Sequence, residues 1–215
     1  MNSPSRNVDI AIIGLSCRFP GAATTEQYWR NLCDGVESVT FFSDQELVSA
    51  GIDPALVANP NYVKAAPILP NVEMFDASFF GYSPKDATLM DPQQRLFLEV
   101  SWEAFENAGY DPASYPGKVG VLSSGGGIVA SYLVAKLHHV DFPGQTASTS
   151  HVNNDKDFLS TRVSFKLNLR GPSFTIQSAC SSSLVAIHQA CQNLRFNECD
   201  MMLVGGSVVR VPQAQ

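Results

Sequence analysis

The sequence contains no apolar run near the roughly 18 residues that a membrane-spanning helix needs, and no block of like charge. Its 215 residues carry 14 Lys and Arg against 20 Asp and Glu, a formal charge of -6. A mildly acidic chain without a basic arm is poorly suited to nucleic acid. Met1 to Arg6 is polar and no apolar stretch follows it as in a secretory leader, so a cytoplasmic protein without a membrane anchor is expected. The five cysteines, Cys17, Cys33, Cys180, Cys191 and Cys199, are irregularly spaced and form no CxxC pair. That pattern argues against a disulfide framework and against a zinc site, and no metal is expected. A GxSxG elbow is also missing, which removes the usual serine hydrolase reading. Gly125 to Gly127 lacks the spacing of a nucleotide loop and reads as a structural turn.

What remains is 45% apolar, enough to bury a substantial core. Val8 to Leu15 is a short β-branched run that predicts a strand, and Thr24 to Gly35 predicts a helix behind a Thr cap. Residues 36–90 are rich in proline and poor in periodicity, which predicts an irregular insertion with short helical turns. Asp91-Pro92 opens the clearest helix, DPQQRLFLEVSWEAFENAGY, with Asp91 as cap, Pro92 in the first turn and Gly109 at the end. Leu98, Trp102 and Phe105 share one face of it, with Leu96 and Val100 beside them. Lys118 to Ser123 predicts another strand. From Asp155 the pattern predicts a helical stretch, a Gly171-Pro172 turn, a strand over 173–179, a helix from near Ser181 and a final strand over Met201 to Val209 covered on both faces. Strands alternating with helices indicate an α/β layered fold.

Cys180 stands out by position. A sulfur at a strand-to-helix junction lies beside the unpaired N–H groups of the first helical turn, where the positive end of the dipole favours an anion. The same groups suit the oxyanion formed when a thioester carbonyl is attacked, so the backbone at Cys180 and Ser181 is the candidate oxyanion site. Ser181, Ser182 and Ser183 are small and leave room for an acyl group. The other four cysteines read as small core residues. No histidine pairs with Cys180 in sequence. His188 lies eight residues on, about 12 Å along a helix, and Leu184, Ile187, His188, Cys191 and Leu194 follow the spacing of a buried helix face. His188 is therefore expected in the core, and His138, His139 and His151 in loops.

The segments DPQQRLFLEVSWEAFENAG, NDKDFLSTRVSFKLNLRGPSFTIQSACSSSL and LVGGSVVRVPQ resemble, in that order, the β-ketoacyl synthase domains of type I polyketide synthases, and VDIAIIGLSCRFPGA resembles their first strand. The likeness runs from about Val8 to the last residue. It implies a thiolase-like layered αβαβα fold, of which residues 8–215 would be the N-terminal part and residues 1–7 a tail or linker. It also implies that Cys180 accepts an acyl chain from the phosphopantetheine arm of an acyl carrier protein, with no cofactor bound directly, and that a malonyl-type extender is then joined by decarboxylative Claisen condensation. An adjacent acyltransferase domain is an implied partner. So is a second copy of the domain, paired through Ser173, Phe174, Thr175, Ile176, Gln177 and Ser178, whose β-branched and aromatic character suits strand pairing.

The two histidines that serve the family's condensation lie in motifs expected after Gln215, so these residues alone are expected not to condense and to aggregate through an exposed half-core. Gln177-Ser178 departs from the Asp-Thr pair usual before Ala-Cys, which puts the packing near the acyl pocket in doubt but not the nucleophile. The presence of Cys180 argues against the loading-type variants that carry Gln there. Two alternatives stay open: acyl transfer without elongation, and a non-catalytic dimerisation or docking module.

Overall fold

A computed structural model describes residues 9–125, 154–211 and 213. The described residues divide into two compact units.

The smaller unit comprises residues 17–74 with 209–211 and 213. Its first helix, α1 (Thr25–Cys33), starts where the extended Thr24 accepts a hydrogen bond from the Gln27 N–H at 3.2 Å. Strand β1 (Val39–Phe41) pairs antiparallel with β2 (Ala65–Pro67), placing Thr40 opposite Ala66. Between them lie α2 (Asp44–Ser49), closed by the reciprocal Ser43–Glu46 capping box, and α3 (Pro54–Val57). The proline-rich stretch thus yields the short turns its composition predicts and, in addition, a small ribbon. Leu47, Ile52 and Val57 form the core of this unit with Phe42 and Tyr62 against it. The Gln213 side chain closes on Leu69, accepting from its N–H and donating to its carbonyl, both at 2.8 Å.

The larger unit comprises residues 9–16, 75–125 and 154–208. Helix α4 (Pro84–Leu89) leads to α5 (Pro92–Ala108), whose ends match the sequence signals. Asp91 caps the Gln93 N–H at 2.8 Å, Pro92 occupies the first turn, and Gly109 ends the helix at φ +74°, a left-handed conformation open to glycine. Then follow β3 (Val119–Gly125), α6 (Leu159–Lys166), β4 (Ser173–Thr175), α7 (Ser182–Arg195) and β5 (Met201–Ser207). The strands form one parallel sheet in the order β4-β3-β5, with Val121 beside Ser173 and Leu203.

The pleat assigns the two faces. Val119 and Val121 of β3, with Met201 and Leu203 of β5, pack on Phe97, Leu98 and Phe105 of α5 and on Leu159 and Val163 of α6. Leu122, with Met202 and Val204, faces the other way onto Ala186 and Ala190 of α7. Helices therefore cover both faces of the sheet, the α/β layering expected. Each of the fully buried Val121, Leu122 and Leu98 side chains contributes about 1.5–3 kcal/mol by leaving water.

Three expectations need correction. Residues 9–18 form no strand. Ile12 is 80% exposed, and residues 14–16 lie against α5 instead: the Leu15 N–H donates to the Asn107 side chain at 3.0 Å, and Ser16 donates to Glu103 at 2.7 Å. Gly14 makes that approach possible, since a Cβ there would sit 2.6 Å from the Ala104 carbonyl oxygen. Strand β5 ends at Ser207, short of Val209, and although helices pack on both its faces its residues stay half-buried, because it forms an edge of the described sheet. The buried stripe of α7 is not Leu184, Ile187, His188, Cys191 and Leu194. It is Ser182, Ala186, Ala190 and Asn193, while Leu184 is 71% exposed, Ile187 51% exposed and His188 exposed. Small residues let the helix lie close on the sheet.

Candidate active site

The extended course of β4 stops at Thr175, short of the predicted 179. Ser178 takes φ -142°, ψ 42° and Ala179 takes φ +53°, a left-handed value that costs a residue with a Cβ about 1–3 kcal/mol. The chain thereby turns sharply into a single 3-10 turn, Ala179–Ser181, and then into α7. Cys180 sits on this turn and is exposed. A parallel strand, a strained turn and a helix N-terminus place it at the carboxyl end of the sheet, where open α/β sheets expose their reactive groups.

Hydroxyls hold the turn. Ser182, buried at the base of α7, donates to the Ala179 carbonyl at 2.7 Å and accepts from the Ser178 N–H at 2.8 Å. Ser181 donates its hydroxyl to the Ser178 carbonyl at 2.8 Å and its N–H to the same oxygen at a longer 3.3 Å. Gln177, the departure from the family pattern, reaches back with its amide to the Gly125 carbonyl at 2.9 Å and ties the turn to the end of β3. The sequence treats Ser182 only as a small residue; a serine spaced three and four residues after the groups it binds was the available signal.

Behind the turn, Ser160 of α6 accepts from the Ser123 N–H at 3.1 Å and donates to the Phe174 carbonyl at 2.8 Å. Its hydroxyl also meets that of Ser123 at 2.6 Å, and Thr175 donates to the Lys156 carbonyl at 3.0 Å. The two motifs N-terminal to the cysteine join in the same region. Arg162 donates to Gln94 at 3.1 Å and to the Tyr82 hydroxyl at 3.0 Å, and Gln94 donates to the Asp155 carbonyl at 2.8 Å. Lys166 lies 3.7 Å over the Tyr82 ring, its ammonium pushed below the usual lysine range by burial and by the Arg162 charge. These residues hold α5 to α6 and so support the sheet end that carries Cys180.

Of the other cysteines, Cys199 is buried as expected, and that burial pushes its thiol up. Cys33 is exposed, and Cys17 and Cys191 are half-buried, contrary to the core placement expected. His138, His139, His151, Gly126 and Gly127 lie outside the described residues. Among the described residues no cluster of His, Cys, Asp and Glu could hold a metal, and no helix is long and apolar enough to cross a membrane.

Fold and site together define an α/β layered protein that presents an exposed cysteine where a parallel strand turns into a helix. Residues 7–214 match the family described as Beta-ketoacyl synthase, N-terminal domain, and the chain belongs to that family. It is 45% identical over 211 residues to a phenolphthiocerol/phthiocerol polyketide synthase protein of Mycobacterium tuberculosis, covering 94% of this chain and 14% of that protein. Its structure is similar to that of ketosynthase twelve from the bacillaene polyketide synthase of Bacillus amyloliquefaciens, with a TM-score of 0.82 and 39% identity over 93% of this chain and 35% of that one. A ketosynthase from module 1 of the same organism's bacillaene synthase gives a TM-score of 0.78 at 37% identity, over 94% of this chain and 34% of that one. The fold is thus the thiolase-like fold of ketosynthases. The chain spans about a third of these solved ketosynthase chains and about a seventh of the mycobacterial protein.

Proposed function

We propose that residues 8–215 form the N-terminal part of a ketosynthase domain of a polyketide synthase, an acyltransferase in which Cys180 is the acyl acceptor. The Cys180 sulfur attacks the thioester carbonyl of an acyl chain borne on the phosphopantetheine arm of an acyl carrier protein. A tetrahedral oxyanion forms, with the Cys180 N–H donating to it while the Ser181 N–H is engaged by the Ser178 carbonyl, and collapses to expel the phosphopantetheine thiolate, which takes up a proton. A malonyl-type extender then loses carbon dioxide, and its carbanion attacks the Cys180 thioester. The new carbon–carbon bond leaves a β-ketoacyl thioester on the carrier and returns the Cys180 thiolate.

One observation carries this reading: Cys180 is exposed on the strained Ala179–Ser181 turn at the head of α7. The acyl carrier protein is the partner this chemistry requires, and an adjacent acyltransferase domain is the inferred source of the extender on it. A homodimer through Ser173 to Ser178 fits the placement of β4 at an edge of the described sheet, with Phe174 exposed.

The test is intact-mass and peptide mass spectrometry of the whole polyketide synthase that carries this domain, incubated with an acyl thioester. An acyl adduct on the peptide containing Cys180, lost in Cys180→Ala, is the expected result. A synthase that elongates its substrate while Cys180 stays unmodified, or that retains elongation in Cys180→Ala, refutes the assignment. No adduct and no elongation supports the docking-module reading.

A further inference from the structure

We propose that Ser182 is a positioning residue that aims the Cys180 N–H at the thioester oxyanion; the proposal rests on Cys180 being the nucleophile. The buried Ser182 hydroxyl has one hydrogen, and that hydrogen goes to the Ala179 carbonyl at 2.7 Å. Its lone pair takes the Ser178 N–H at 2.8 Å. One oxygen therefore clamps the peptide before Ser178 to the peptide after Ala179, across the two residues with the turn's unusual dihedrals.

The peptide after Ala179 has the Ala179 carbonyl at one end and the Cys180 N–H at the other. A trans peptide is planar, so its C=O and N–H point in opposite directions. Holding the carbonyl toward the buried Ser182 turns the Cys180 N–H the opposite way, on a residue that is itself exposed. The Ser182 backbone N–H also donates to the Ala179 carbonyl, so what the hydroxyl adds is the tie from that carbonyl to the Ser178 N–H across Ala179. Without the tie the left-handed Ala179 relaxes and the Cys180 N–H swings with it. The hydroxyl thus sets the direction of the donor, whereas the sulfur remains attached and accessible whatever the peptide does.

Two reactions of the same sulfur separate these roles. Transfer from an acyl thioester passes through an oxyanion; alkylation by iodoacetamide displaces iodide and forms none. In the intact polyketide synthase, with both products located at Cys180 by peptide mass spectrometry, Ser182→Ala is expected to lower the acylation rate between about tenfold and a hundredfold while alkylation changes by less than about threefold. The acylation loss is expected in kcat rather than KM, and Ser182→Thr, which keeps the hydroxyl, restores most of it. Equal losses in both reactions, or acylation within about twofold of the unmodified enzyme, overturn the proposal.

Where Ser182→Ala does not fold, Ala179→Gly/Ser182→Ala measured against Ala179→Gly carries the same test, because glycine accepts the left-handed turn without a clashing Cβ. A gap between the two reactions is again expected, and its absence overturns the proposal. Cys180→Ala distinguishes the two levels of the argument. If that variant still forms the acyl-enzyme, the nucleophile assignment has failed and the clamp with it. If it abolishes acylation while Ser182→Ala leaves the ratio of the two rates unchanged, the clamp alone has failed.

Discussion

Replacing Ser160 by alanine deletes one oxygen from the place where β3, β4 and α6 meet. Three hydroxyls share that site, on Ser123, Ser160 and Thr175, and they bring three hydrogens. The Phe174 carbonyl takes that of Ser160 and the Lys156 carbonyl takes that of Thr175, leaving the hydrogen of Ser123 to bridge within the group. In Ser160→Ala the Ser123 hydroxyl turns to Thr175, 2.9 Å away, but the Ser123 N–H loses its side-chain acceptor and the Phe174 carbonyl its side-chain donor. At about 1 kcal/mol for each of these two bonds the loss is about 2 kcal/mol. For a chain of this size that lowers the melting temperature by about 4–8 °C. Calorimetry or urea unfolding of the purified protein measures it, with Ser123→Ala and the double variant completing a cycle. The double variant is expected to cost less than the sum of the two singles, since both remove the shared bond. A loss below about 0.5 kcal/mol for Ser160→Ala, the level of an ordinary surface change, refutes the hydrogen-bond accounting.

Asp91 is expected to impart a pH dependence to stability. Burial raises its carboxyl above the ordinary value of 3.8, against the opposing pull of the Gln93 N–H and the Arg95 charge. The folded state therefore holds a proton that the unfolded state has released, and stability falls as pH rises from about 3.8 through the raised value. Asp91→Asn keeps a capping oxygen but cannot ionise, so unfolding followed against pH should show a flatter decline there; an unchanged slope contradicts the assignment. Gly171→Ala would place a Cβ 2.5 Å from the Gly120 nitrogen and the Val119 carbonyl carbon, backbone atoms of a central strand that cannot step aside. A cost of about 3 kcal/mol, or about 6–12 °C in melting temperature, is expected, and a shift under about 2 °C rules the clash out.

The parts of this fold legible in the sequence are those set by local chemistry. Asp91, Pro92 and Gly109 mark the ends of α5 because caps and left-handed glycines act within a few residues. The junction at Cys180 is legible for the same reason. Pairing is not local, and that is why Val8 to Leu15 misleads: a β-branched run signals that a segment can extend, but residues 9–16 pair with no strand and residues 14–16 lie against a helix. The reading of α7 failed on a different point. Leu184 and Ile187 are the more hydrophobic residues, yet close approach to the sheet selects Ala186, Ala190 and Ser182, so size decided burial where hydrophobicity did not. The hydroxyl clamp at Ser182 was hidden because its partners are backbone groups, which a sequence does not display.

The alternation of β3 between its two helical layers has a bearing on recombination. Seven consecutive residues, Val119–Gly125, pack on both sides, with valines turned one way and Leu122 the other. Dropping or adding one residue here would hand every side chain beyond it to the opposite layer, setting Leu122 against aromatic Phe97 and a valine against the small alanines of α7. Chimeras that splice related chains must therefore cross outside this strand or preserve its length, whereas a crossover in the turns between α2 and β2 leaves that parity untouched.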